Sequence, residues 1–401
     1  MELWREIELA RKRIRKAIRR TPLVYSDTFS KMAGKEVYLK LENLQKAGSF
    51  KIRGAYNKMS QFSAPLKKKG VVAASAGNHA QGVAFASSLL GIHATIVMPV
   101  GASMAKQTAT KAYGGEVILF GQDTDEALAY ASKFAEKGQN LVHPFDDEQI
   151  IAGQGTIGLE ILEDLPDVEA IAVPVGGGGL IAGIASIVKK KKPRVRICGV
   201  QAVRAPSAFL SWKKRKIVEA KVMPTLADGI AIRKVGQVPF SIIRDQVDQM
   251  VTVGEDEIAS AILTLMERKR VIAEGAGAAP LAALLSGTER ISGHKIVLVI
   301  SGGNIDVHLL DRIIEKGLAQ TGRLMRLEVS LRDIPGALAK IADLVGRHHA
   351  NILHIIHERT AKDIPIGYSR VVLALETRGL EHTREVRSAL REEGYEFRVL
   401  S

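Results

Sequence analysis

Lys51 sits in the stretch Gly48-Ser49-Phe50-Lys51-Ile52-Arg53-Gly54, between an aromatic ring and small residues. A lysine in such a setting could be a Schiff-base lysine, its amine adding to a carbonyl carbon. Alone this is weak, because most lysines are solvated surface groups. Ser75-Ala76-Gly77-Asn78-His79-Ala80-Gln81-Gly82 follows an apolar run. Its small residues free backbone N–H groups at a helix start, where an anion binds; the bland reading is a loop with a helix cap. Pro174-Val175-Gly176-Gly177-Gly178-Gly179-Leu180 also follows an apolar run. These glycines let backbone wrap a phosphate above a helix N-terminus. No Lys-Ser/Thr follows, so this is not a Walker A loop, and the spacing disfavours a dinucleotide fingerprint. The bland reading is a flexible glycine turn. Ser301, in Ile300-Ser301-Gly302-Gly303-Asn304, offers a hydroxyl that can hydrogen-bond a ring nitrogen. A lysine nucleophile, a carboxylate loop, a phosphate cradle and a serine are far more specific together than any one alone.

Such loops need strands to aim them. Apolar, β-rich runs predict strands over 37–41, 71–74, 94–98, 117–120, 170–175, 197–201 and 296–300. Most are continuously apolar, as parallel strands covered on both faces should be. Helical stretches separate them, which gives an α/β architecture with open parallel sheets. Ligands bind such sheets beyond the carboxyl ends of the strands, where three of the four loops fall.

After about residue 320 the pattern changes. Leu327, Val329 and Leu331 alternate with Arg326, Glu328 and Ser330, which predicts a strand over 324–331. Asp333-Ile334-Pro335-Gly336 is a turn, and Leu338, Ile341, Ala342 and Val345 form a helical stripe. Strands over 352–357, 368–375 and 397–400 and a helix over 383–391 complete a βαββαβ, ferredoxin-like unit. The expected domains are 1–319, with a small subdomain at about 46–145 inserted in the larger one, and 324–401.

Composition excludes several classes. At 401 residues, 46% hydrophobic and 25% charged, the chain should fold, and as more than one domain. A single cysteine, Cys198, rules out a disulfide framework and fits the cytoplasm; in Ile197-Cys198-Gly199-Val200 it reads as a buried strand residue. Trp4, Ile7, Ala10, Ile14 and Ile18 recur at helical spacing, and neither a signal-peptide core nor a membrane span is expected. The net charge of +14 gathers in basic runs at 67–69, 189–192 and 213–216. Aromatics are only 5% and none interleaves with these runs, so solvated helix ends are favoured over a nucleic-acid surface. The same field suits phosphorylated small molecules.

Residues 20–310 closely resemble the fold-type II pyridoxal 5'-phosphate (PLP) enzymes, in particular the threonine dehydratase, serine dehydratase and serine racemase group. The matching stretches include the four above. The others are Lys40-Leu41-Glu42-Asn43-Leu44-Gln45, Val142-His143-Pro144-Phe145, Ala152-Gly153-Gln154-Gly155-Thr156 and Ala227-Asp228-Gly229-Ile230-Ala231. The resemblance implies a tryptophan synthase β-like fold with two open parallel-sheet subdomains. It implies that Lys51 carries the Schiff base with PLP, Phe50 packs on the pyridine ring and Asn78 meets the ring hydroxyl. Gly176, Gly177, Gly178 and Gly179, with the N–H of Leu180, would hold the phosphate, and Ser301 would face the pyridine nitrogen. Ser75, Ala76, Gly77, His79 and Gly229 would bind the substrate. The implied reaction removes the α-proton through Lys51 and expels the β-hydroxyl. L-threonine gives 2-oxobutanoate and ammonia, and L-serine gives pyruvate. A serine at the ring nitrogen does not favour its protonation, which discourages transamination. Glu274 reads either as a pocket carboxylate or as a helix cap.

Two departures argue against racemisation. Racemases of the group carry Ser-Gly-Asn, whereas Ala76 here has no proton to give. Their divalent-metal carboxylates are replaced, since Gly199-Val200 leads into Gln201, Ala205 and Ser207; a monovalent cation stays open.

Residues 324–401 resemble an ACT domain through Leu331-Arg332-Asp333-Ile334-Pro335-Gly336-Ala337-Leu338 and Ala350-Asn351-Ile352. That resemblance implies a free amino acid bound by Asp333, Gly336, Ala337, Leu338, Asn351 and Ile352, isoleucine or valine if the enzyme serves isoleucine synthesis. The alternative is a dimerisation unit without ligand. His348, His349, His354 and His357 cluster here, but alternation sends His354 and His357 to opposite faces, and no metal is expected. The expectation is therefore a cytoplasmic PLP-dependent lyase, a homodimer or homotetramer, with neither nucleic acid nor membrane as partner. The alternatives are an L-serine dehydratase, a β-replacement enzyme resembling threonine synthase or cysteine synthase, and a catalytically silent amino-acid sensor; a nucleic-acid binder is the most distant.

Overall fold

Parallel strands covered on both faces should be apolar throughout, and Ala170–Pro174 is buried at every position. It lies inside a six-stranded sheet. From one edge the order is Leu23–Tyr25, Glu36–Leu41, Lys295–Ile300, Ala170–Pro174, Arg196–Ala202 and Gln249–Val253, with only the first strand antiparallel. Ile296 pairs with Val37 on one side and with Ala170 on the other. A second, all-parallel sheet has the order Glu116–Leu119, Ala94–Met98, Val71–Ala74 and Asn140–Leu141. The structure is a computed structural model describing residues 2–400, and the chain divides into two compact units between Asp306 and Val307. This division lies one helix earlier than the boundary expected near 319–324, because Val307–Gln320 groups with the C-terminal unit.

Three helices bring the sheets' loops together. Glu148–Asp164 is started by Asp147, whose carboxylate accepts from Gln149 N and Ile150 N. Its Gly153 approaches Lys51–Ser60 so closely that a Cβ would lie 2.5 Å from the Arg53 carbonyl oxygen. On its other side, a Cβ on Gly183 of Gly179–Lys191 would lie 2.4 Å from the Ile151 carbonyl. Small residues thus set these helix spacings.

Beneath the lysine's helix lies a buried ion cluster. Arg53 is fully buried, with Nε and Nη2 on Glu42 at 2.8 and 2.7 Å and Nη1 on Glu160 at 2.7 Å. Lys40 Nζ donates to Glu160 Oε2 at 2.6 Å and to the Thr21 carbonyl at 2.7 Å. Two cations meet two carboxylates, so no charge is left uncompensated, and the lysine's helix is locked to the large sheet and to Glu148–Asp164.

The C-terminal unit carries an antiparallel sheet ordered Asn351–Glu358, Tyr368–Glu376, Leu324–Arg332 and Phe397–Val399. Helices Ala337–Arg347 and Leu380–Glu392 complete the expected βαββαβ order. Leu327, Val329 and Leu331 all face its core, as alternation requires.

Several expectations need correction. Helix Leu3–Ile14 stops short of Ile18, which packs beside the smaller sheet's core instead. Leu344 is buried in the C-terminal helix where Ala342 was expected, the longer side chain reaching the sheet. Strands Leu23–Tyr25 and Asn140–Leu141 are too short to show a period, and Gln249–Val253 mixes polar residues into an edge position. Cys198 is buried, which pushes its thiol up to about 12 and leaves it inert as a nucleophile. Among the described residues no helix is long and apolar enough to cross a membrane.

Candidate active site

Strand ends deliver the loops to one cavity of about 640 Å³. Lys51, Phe50, Ser75, Ala76, Gly77, Asn78 and His79 line it, and so do Gly176, Gly177, Gly178, Gly179, Leu180, Gly229 and Ser301. Every residue of the body expected to act in catalysis or to hold cofactor or substrate therefore lines this one cavity. Asn43 and the basic runs lie outside it.

Lys51 is the first residue of helix Lys51–Ser60, so its backbone is fixed while its side chain reaches past the helix start. Its Nζ donates to the Pro144 carbonyl at 3.1 Å and lies 5.3 Å from the centroid of the Phe50 ring. Burial lowers its pKa to about 8, with Glu274 pulling weakly the other way. Near neutral pH a far larger fraction of this amine is therefore neutral than of a solvated lysine.

The glycine loop is shaped by space. A Cβ on Gly177 would fall 2.3 Å from the Phe145 ring, and one on Gly179 would fall 3.1 Å from Phe145 atoms. Gly178 has φ +94°, a region only glycine occupies readily. Helix Gly179–Lys191 starts directly beneath, so its first N–H groups and dipole face the loop. Helix Asn78–Leu90 does the same for Ser75-Ala76-Gly77, where Ser75 Oγ accepts from Gly77 N at 3.1 Å. Two separate helix starts thus turn N–H groups toward the cavity, an arrangement that suits anions.

The imidazoles nearby are neutral. His79 is pushed down to about 3 by burial and by the Lys51 charge. Its Nε2 is 2.8 Å from the Val142 carbonyl, so that nitrogen carries the proton. His143 is also lowered by burial, and its Nδ1 accepts from Asp146 N at 2.8 Å. Neither supplies a positive charge to the cavity.

Glu274 is the main residue that sequence reasoning left unresolved. It precedes helix Gly275–Leu285 but makes no capping bond; its carboxylate turns into the cavity and accepts from Asn78 Nδ2 at 2.6 Å. Burial and nearby Asp228 raise it to about 7. Lys106, from the smaller sheet's side, meets Asp228 at 2.6 Å at the same cavity. Asn304, at the end of the Ile300–Asn304 stretch, bonds both Asn78 and the Ala47 carbonyl through its amide. No periodicity reveals such contacts, since the partners are hundreds of residues apart in sequence.

Elsewhere the picture differs. Gln201, Ala205 and Ser207 are buried; Gln201 Oε1 accepts from Phe209 N and Ser207 Oγ donates to the Ile232 carbonyl. In the C-terminal unit Asp333, Gly336 and Asn351 are exposed, and Ala337, Leu338 and Ile352 are half-buried. Asp333 accepts from Arg359 Nε at 2.9 Å, and Gly336 caps helix Ala337–Arg347 at φ +85°. Among the described residues no group of three or more His, Cys, Asp or Glu side chains could hold a metal ion.

Residues 14–302 match the family described as pyridoxal-phosphate dependent enzyme, and residues 325–392 match the ACT domain. An L-threonine ammonia-lyase of Thermotoga maritima is 50% identical over 396 residues, 98% of each chain. One of Geobacter sulfurreducens is 51% identical over 395 residues, again 98% of each. The solved processed form of threonine deaminase isoform 2 from Solanum lycopersicum is 40% identical with a TM-score of 0.75, covering 78% of this chain and 88% of that one.

Proposed function

The chain belongs to the pyridoxal-phosphate-dependent enzyme family and carries an ACT domain, and from that premise we propose that it is an L-threonine ammonia-lyase. It converts L-threonine to 2-oxobutanoate and ammonia, with L-serine to pyruvate as the second reaction. The observation that carries the reading is the meeting, in one cavity, of a buried lysine of lowered pKa with a glycine-shaped loop and a second helix N-terminus.

The cavity fits the cofactor. The Gly177 cradle has no room for a Cβ, and the helix N-terminus beneath it supplies unpaired N–H donors for a phosphate. Gly176, Gly177, Gly178, Gly179 and Leu180 N would hold that phosphate, Phe50 would pack on the ring, and Asn78 and Ser301 would meet its polar atoms. When bound, PLP supplies an electron sink for the α-carbon's charge.

The chain's own groups do the rest. Ser75, Ala76, Gly77, His79 and Gly229 bind the substrate, with backbone N–H groups at the start of helix Asn78–Leu90 taking the carboxylate. Lys51 holds and moves the proton at the α-carbon, and its lowered pKa keeps part of it free as base. Neutral His79 donates only to Val142, so it does not compete for that proton. Ala76 offers no proton on the opposite face, which favours elimination over racemisation.

Residues 1–319 are assigned to catalysis, with 46–145 as a small subdomain, and 324–401 to regulation. Asp333, Gly336, Ala337, Leu338, Asn351 and Ile352 take an amino-acid effector. The working form is a cytoplasmic homodimer or homotetramer. One purified sample tests the central reading. PLP should give a yellow absorbance, L-threonine should yield 2-oxobutanoate, and Lys51→Ala should lose turnover by about 10³-fold or more. Turnover persisting in that variant refutes the role of Lys51. Calorimetry with isoleucine and valine should give heat, and silence with both removes these effectors.

A further inference from the structure

We propose that Asn304 is a positioning residue: its amide fixes Asn78 so that Asn78 Nδ2 faces the ring oxygen of the bound cofactor. This rests on the cofactor reading above. The backbone carbonyl oxygen of Ala47 can only accept. Asn304 Nδ2 lies 2.9 Å from the carbonyl oxygen of Ala47, so the Asn304 atom facing it must be the nitrogen. The same nitrogen is 2.7 Å from Asn78, whose facing atom must then be Oδ1. Asn78 Nδ2 is left at the other end, 2.6 Å from Glu274 Oε1. An amide nitrogen carries two protons; one goes to Glu274 and the other is available to the cavity that Asn78 lines.

Glu274 cannot set this orientation by itself. Burial raises it to about 7, so near neutrality it is part carboxylate and part acid and can face either end of an amide. The backbone carbonyl has no such freedom, and its polarity passes through Asn304 to Asn78.

The local backbone is bent to deliver that carbonyl. Ala47 has φ 60° and Gly48 has φ 70°. The left-handed region is unfavourable for alanine, and such strain persists where the surroundings hold it. A Cβ on Gly48 would fall 2.2 Å from Asn304 Oδ1, so glycine makes the space the amide occupies. Gly303 N donates to the Gly48 carbonyl at 3.0 Å and Phe50 N to the Ser301 carbonyl at 3.1 Å. This clasp joins the loop that leads into Lys51 to the loop that follows Ser301. The amide's direction and the lysine's position are therefore set by one structure.

The test titrates wild-type protein, Asn304→Asp and Asn304→Ala with PLP. The readouts are cofactor affinity, the pH midpoint of its visible absorbance, and the melting temperature of each protein without cofactor. Aspartate keeps the shape of asparagine but cannot donate when ionised. Asn78 then turns Nδ2 toward residue 304 and presents Oδ1 to the cavity. The expected result is a loss of affinity of about tenfold and a midpoint raised by about one pH unit in Asn304→Asp. Asn304→Ala, which leaves Asn78 free to take either direction, should lose about threefold. A residue that merely fills space gives the reverse order. Wild-type affinity and midpoint in Asn304→Asp, or a weaker Asn304→Ala than Asn304→Asp, overturn the proposal. If the aspartate variant does not fold, Asn304→Ala must still lose affinity at an unchanged melting temperature, and wild-type affinity there overturns it. Wild-type protein that binds no PLP overturns the functional reading and this inference with it.

Discussion

Gly177 in the body and Gly336 in the C-terminal unit both lie just before helices, yet a methyl group added at each meets opposite obstacles. At Gly177 the backbone is ordinary and the space is filled, with the Phe145 ring 2.3 Å away. At Gly336 nothing lies within 4 Å, and only the φ of +85° excludes other residues. The same contrast holds for charge. Arg53, Glu42 and Glu160 are sealed in the body's interior, whereas the Asp333 and Arg359 pair of the C-terminal unit is open to solvent. One unit gathers its candidate site into a cavity and tunes it by burial. The other leaves Asp333, Gly336 and Asn351 of its candidate ligand groups exposed to water.

Four measurements press on that contrast, the largest first. Arg53→Met leaves two buried carboxylates with one cation between them, and should cost about 3–5 kcal/mol by denaturant unfolding. A loss under about 1 kcal/mol would mean the cluster is not sealed from water. Next is Glu274, raised to about 7 by burial and then by Asp228. A carboxyl raised above its ordinary 4.5 makes the folded protein without cofactor bind more protons than the unfolded chain between those values. Stability then falls as pH rises through that window. Glu274→Gln removes the loss, so its advantage should be nil below pH 4.5 and level at about 3 kcal/mol above pH 7. Melting temperatures from pH 4 to 8 give the curve; a difference independent of pH would deny burial as the cause.

Gly177→Ala should cost about 1–3 kcal/mol by overpacking against Phe145 and should weaken PLP binding as well. If binding is unchanged, the cradle is wider than the structure has it. Gly336→Ala has only backbone strain to meet and should cost about 1 kcal/mol, with PLP affinity as in wild type. Equal losses of PLP binding in the two alanine variants would erase the distinction between the units.

Much of this was readable from residues in a row. The apolar runs over 71–74 and 94–98 coincide with strands, because parallel strands buried on both faces have no polar position to blur them. The loop residues were readable for the same reason: glycine clusters directly after strands have few other uses. The C-terminal βαββαβ order followed from the alternation of Leu327, Val329 and Leu331 together with the helical stripe of Leu338, Ile341 and Val345 and the strand and helix patterns after it. Strands Leu23–Tyr25 and Asn140–Leu141 were not readable, since partners rather than composition make such short segments into strands. Glu274 was ambiguous because a helix start and a pocket wall call for the same carboxylate, and only its bond to Asn78 separates them.

The sequence by itself determined the α/β class, the two kinds of unit and which loops meet at the cavity, because periodicity and glycine placement are local properties. Tertiary structure alone decided the state of those groups. The lowered pKa of Lys51, the neutral His79 and the raised Glu274 come from burial by distant segments. The direction of Asn78 comes from a carbonyl delivered by a strained turn at Ala47. Desolvation and hydrogen-bond polarity depend on what surrounds an atom in space, and that is set only when the chain has folded.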